Sequence, residues 1–131
     1  MNKIKIISIS LGIISLTFGI LKFVSPFNDW YRIQLKTSSL PHAAYALGIA
    51  GEIITGVTFL LPFIVPVADH QKRLLLILAN IFLILMMIAA TAVHLIPEVP
   101  SNVLPLKIKP PIIPLMFLAM AIINLVNVLK K

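Results

Sequence analysis

The run from Leu47 to Pro62 is apolar enough to sit in hydrocarbon, yet it carries a carboxylate, Glu52, near its middle. Wound as a helix at about 100° per residue, it brings Gly48, Gly51, Glu52, Thr55 and Gly56 onto one small, polar face. Ile, Val, Phe and Leu occupy the other face. Small residues let membrane helices approach closely, and an ionisable group inside a span is costly enough to need a partner. The run therefore predicts an inner-facing helix of a membrane bundle, with Glu52 turned to the interior.

The rest of the chain agrees. Of 131 residues, 60% are hydrophobic and only 11% charged, with a mean hydropathy of +1.06. A soluble domain carries roughly a quarter charged residues, and one core of this size does not hide so much apolar surface. There is no cysteine, which excludes disulfides, thiolate metal sites and thiol redox chemistry. The formal charge is +7, but Lys and Arg sit at the ends of apolar segments, where they meet anionic headgroups. No basic cluster with interleaved aromatics appears, so nucleic acid is not an expected partner.

Four spans are expected, at about 4–25, 42–62, 74–96 and 112–129, forming one membrane domain. The first could be read as a cleaved signal segment. Its apolar run exceeds the usual h-region of about 7–15 residues, however, and no A-x-A-like site follows. Ser8, Gly12, Ser15, Gly19 and Lys22 also recur at spacings of four and three, the seam of a packed helix pair. Residues 25–42 read as a surface loop with a short interfacial helix, Trp30 and Tyr31 lying at headgroup level. Asn80, Met87, Thr91 and His94 form one stripe on the third span. Asn124 on the fourth is placed to hydrogen-bond Asn80, worth about 0.5–1.5 kcal/mol. The prolines at 97, 100, 105, 110 and 111 favour an extended, polyproline-like path over the bundle mouth.

The fold class is thus all-α integral membrane: a four-transmembrane-helix antiparallel bundle with two longer loops on one side. Lys3, Lys5, Lys72, Arg73, Lys130 and Lys131 flank the other side, which favours cytoplasmic termini in a cell membrane.

Three ionisable side chains fall on interior stripes: Lys22, Glu52 and His94. Lys22 and His94 share a depth near the loop side, with Glu52 roughly 10 Å deeper at 1.5 Å per residue. A direct Lys22–Glu52 contact needs a tilted or shortened helix, because a lysine normally snorkels outward. A His94–Glu52 contact or a water-bridged triad satisfies the pattern equally. Together the three outline a polar pocket that could hold a quinone headgroup, relay protons or admit a polar ligand. The alternative is an internal ion pair that only fixes helix register. Gly12, Gly19, Gly48, Gly56, Asn80 and Asn124 are the expected helix-packing residues. No metal is expected: one His and one Glu are too few ligands, and Met86, Met87, Met116 and Met120 do not converge.

Phe18–Phe23 with its Gly19 and Lys22, the Gly48-x-x-x-Glu52-x-x-x-Gly56 helix, and His94–Pro97 with Pro105–Leu115 together resemble the DoxX and DoxX-like family of small four-span bacterial membrane proteins. The resemblance covers most of the chain. It implies a four-helix membrane bundle and maps Lys22, Gly48, Glu52 and Gly56 onto recurrent family positions. Some relatives are membrane subunits of thiosulfate–quinone oxidoreductases, and others look like assembly partners. No soluble catalytic domain is fused here, so enzymatic function does not carry over. Small size, no cysteines, no cofactor motif and a stiff outward-facing loop make a non-catalytic accessory or assembly subunit, with a membrane or extracytoplasmic protein partner, the expected function. A quinone-linked subunit with a pocket around Glu52 is the second expectation, with quinone its only cofactor. A small proton-coupled transporter is the third. The small-residue stripe of the first span suits intramolecular packing or a homo-oligomer equally.

Overall fold

In the computed structural model, which describes residues 2–131, the ordered elements are all helical. They are α1 (Asn2–Leu21), α2 (Phe27–Thr37), α3 (Ala43–Ile64), α4 (Asp69–Leu95) and α5 (Ile112–Lys130), with single 3-10 turns at Ser101–Val103 and Pro105–Lys107. All but α2 are long and apolar enough to cross a membrane. Among the described residues there is no strand.

The helix ends depart from the expected spans in informative ways. α1 stops at Leu21, short of residue 25, and the next residues form a turn ahead of Pro26. α3 runs two residues past Pro62. Proline lacks an N–H and normally breaks a helix interior, but here it sits in the last turn, where little of the helix is left to disturb. α4 begins at Asp69, five residues before the expected start at 74. Its first turn is the polar Asp69–Lys72, with the Gln71 side chain accepting from the Ala68 N–H at 3.2 Å. The segment 25–42 forms an 11-residue helix. The proline-rich segment takes two 3-10 turns in place of a continuous extended path, with Leu106 and Lys107 in the left-handed region at φ 52° and 58°.

α1 packs most extensively on α3, and α4 on α5; α3 also packs on α4, and α1 touches α5. The core at their meeting includes Leu11, Phe59, Leu76, Ala79, Leu83 and Ala121. Ile6, Leu47, Ile54, Leu85, Ile88 and Ile123 stand out on the perimeter, each more than half exposed. Apolar surroundings give no hydrophobic drive for one membrane helix to leave lipid for another, so close approach and polar contacts carry the association. Gly56 supplies the closest backbone-to-backbone approach between α1 and α3. A Cβ there would lie 2.8 Å from the Leu16 backbone nitrogen and 2.9 Å from the Gly12 carbonyl oxygen. Gly12 itself accommodates Leu60 and Phe59 of α3, and Gly19 accommodates Ile53.

Asn80 and Asn124 are both fully buried and joined, Asn124 Nδ2 donating to Asn80 Oδ1 at 3.2 Å. Asn124 Nδ2 also donates to Ser8 Oγ at 2.9 Å, which brings α1 into the same cluster. Asn80 donates to the Leu76 carbonyl at 2.8 Å.

Candidate functional site

Because α1 ends at Leu21, Lys22 leaves the helix and is free to turn toward α3. Its ammonium pairs with Glu52 Oε1, and both side chains are four-fifths buried or more. Lys22 Nζ also lies 4.7 Å from the centre of the Tyr31 ring, a cation–π arrangement. The direct contact that required a shortened helix is the one that forms.

Tyr31 covers this pair from α2. It is buried, and its hydroxyl donates to the Ala44 and Tyr45 carbonyls of α3, each at 3.2 Å. The hydroxyl reaches those carbonyls because Gly48 has no side chain; a Cβ there would overlap it. Gly48 is therefore a notch for α2. The rings of Trp30 and Tyr31 also have partners within the protein. Trp30 packs against Val99, Val103 and Leu104, and Tyr31 stacks beside Tyr45 at 4.9 Å. The outer side of α2 is Asp29, Arg32, Ile33 and Lys36. Its Arg32–Asp29 pair at 3.0 Å is more than half exposed, so it adds little stability.

Burial and, next to it, the negative charges of Glu52 and Tyr45 push the Tyr31 phenol up from 10.0 to about 12. Tyr31 is accordingly a neutral hydrogen-bond donor at any physiological pH.

His94 is buried but joins neither Lys22 nor Glu52. Its Nδ1 donates to the Lys109 carbonyl at 3.1 Å, and since a carbonyl only accepts, that nitrogen carries the hydrogen. Lys109 in turn donates from Nζ to the carbonyls of Ile96, at 2.5 Å, and Val99, at 2.6 Å. A cation is thereby placed on carbonyls just beyond the C-terminus of α4, where the helix dipole favours it. His94 and Lys109 tie the proline segment to the end of α4. Gln34 of α2 donates to the Val103 carbonyl, joining the two loops into one cap. The pocket expected from three residues thus resolves into an ion pair under Tyr31 and a separate loop clasp.

Beneath Glu52 lies a cavity of about 20 Å³ bordered by Ser15, Phe18, Leu83, Met86, Met87 and Phe117, among others. Glu52, which borders it, has its Oε2 buried without a protein partner. Gly51, on the same face of α3, accommodates the Met86 sulfur.

The Lys22–Glu52 pairing was foreshadowed by the stripes. Tyr31, Gln34 and Lys109 were not: each acts across a loop, and no periodicity records which loop folds over which helix. No family of known proteins matches the chain, nor does any curated protein or solved structure.

Proposed function

We propose that this chain is a four-span antiparallel membrane bundle of DoxX-like type that acts as an accessory or assembly subunit for a protein partner, without catalysis of its own. Both longer loops then lie on the extracytoplasmic side of a bacterial plasma membrane, with the termini in the cytoplasm. The observation that carries the reading is the cap. Its two loops are held to each other through Gln34 and Val103, and to the helices through Tyr31, His94 and Lys109. An ordered surface of that kind offers a partner a fixed shape at small entropic loss.

The interior supports the same reading. A ligand site for an organic molecule occupies about 300–1,000 Å³, whereas the cavity beside Glu52 measures about 20 Å³. A quinone headgroup or a transported solute would have to part the helices to enter.

The test is purification from native membranes in mild detergent, followed by polypeptide stoichiometry and extraction of bound quinone, with Glu52→Gln in parallel. The expected result is a second polypeptide at a fixed ratio and quinone no higher than the membrane background. One quinone per chain, lost in Glu52→Gln and with no second polypeptide, overturns the proposal in favour of a redox subunit.

A further inference from the structure

We infer that the cavity beside Glu52 is a binding site for one water molecule, which bridges Glu52 Oε2 to the hydroxyl of Ser15. An internal water needs at least about 10–15 Å³ and two or more polar partners. The cavity measures about 20 Å³, and Glu52 and Ser15 both border it.

Both groups can take the water. Glu52 spends Oε1 on Lys22 and leaves Oε2 buried and unpartnered. Ser15 is 6% exposed and borders the same cavity. Thr17, Thr37, Thr58 and Thr91 all turn their hydroxyls back onto the carbonyl four residues earlier, at 2.6–2.8 Å. Ser8, on the same stripe of α1, accepts from Asn124. Ser15 borders the cavity and can reach a partner there. Left dry, the buried Glu52 Oε2 would carry an uncompensated desolvation penalty.

The chemistry selects water over an ion. The carboxylate charge is already met by Lys22, whose ammonium repels a second cation, and only one carboxylate borders the cavity. The water donates one hydrogen to Oε2, and its oxygen accepts from Ser15. Glu52 is then held by both oxygens: by Lys22 at the end of α1 and by Ser15 almost two turns before it. The carboxylate becomes a double tie between α1 and α3. Leu11, 1% exposed, borders the cavity on the side toward Ser8, so a buried side chain separates this site from the Ser8–Asn124 cluster.

Magnetic relaxation dispersion of water nuclei counts long-lived internal waters on the protein in detergent. The expected result is that Ser15→Val, which fills the chamber, lowers the dispersion amplitude by one water relative to the wild type. An unchanged amplitude in a folded Ser15→Val protein overturns the inference. Should that variant fail to fold, a wild-type structure at a resolution that shows ordered waters decides. Density within hydrogen-bond distance of both Glu52 Oε2 and Ser15 Oγ supports the site, and an empty chamber overturns it.

Discussion

The hydroxyl of Tyr31 fills the space that a side chain on Gly48 would take, and from there it bonds two carbonyls of the first turns of α3. Gly48→Ala should therefore expel the ring and loosen α2, with a loss of about 1–3 kcal/mol from overpacking. Tyr31→Phe removes the colliding oxygen, so the double variant should lose less than the sum of the two single variants. Thermal unfolding of the four proteins in one detergent measures the coupling. Simple additivity would mean that the two residues do not meet.

Alkaline titration tests the environment of the same phenol. Its folded pKa, about 12, is raised above the ordinary 10.0. Raising the pKa of an acid favours its neutral form in the folded state. The stability this contributes is therefore complete below pH 10 and lost as pH rises through about 12. The wild-type phenolate absorbance, minus that of Tyr31→Phe, should rise near pH 12; a step at 10 would place the ring in water.

Two glycines on α3 should respond differently to the same substitution. In Gly56→Ala the new carbon meets backbone atoms of Leu16 and Gly12, which cannot move unless α1 moves. In Gly51→Ala it meets only the Met86 sulfur at 3.0 Å, the far end of a flexible side chain. The expected losses are about 1–3 kcal/mol for Gly56→Ala and under about 1 kcal/mol for Gly51→Ala. Equal losses would count against the close approach of α1 and α3.

Asn124→Ala removes the shared donor of Ser8 and Asn80 in one step. Hydrogen bonds between membrane helices average about 0.6 kcal/mol and reach about 1.7. With the vacated volume added, a loss of about 1–3 kcal/mol is expected. Ser8→Ala should lose less, since it deletes one acceptor and leaves the Asn pair intact. Unfolding by graded denaturing detergent compares them, and an Asn124→Ala protein as stable as the wild type would remove the cluster from the account.

The long helices and their inner faces were legible because burial inside a span restricts which residues stand where. Apolar runs of the right length announced the four long helices, and the sparse polar residues among them marked inward stripes. Asn80 and Asn124 found each other for that reason: each is an amide with few places to turn. Lys22 and Glu52 were both visible, but their contact depended on where α1 stops, which no apolar count determines. His94 illustrates the opposite case. Its depth suggested Glu52 as a partner, yet a carbonyl from the returning proline segment lies closer to hand. Gly48 was legible as a helix-packing position, but a helical face has no label for what it meets, and here it meets the Tyr31 hydroxyl of α2. The cap as a whole, built from Tyr31, Gln34 and Lys109, rests on contacts between loops whose paths follow no repeat.

Ser8 and Asn124 stand 116 positions apart in the chain, and that separation has a bearing on biosynthesis. A ribosome delivers α1 to the membrane long before α5 exists, so the hydroxyl of Ser8 must wait in a half-built protein without its amide partner. Val103, to which Gln34 is bound, is also made late. Insertion machinery or a lipid-exposed intermediate has to tolerate α1, α2 and α3 with these groups unmatched until the final helix arrives. A chain stalled before residue 112 would carry an open seam along Ser8 and Asn80, and quality-control proteases that recognise polar groups in lipid would have a means of telling it from the finished molecule.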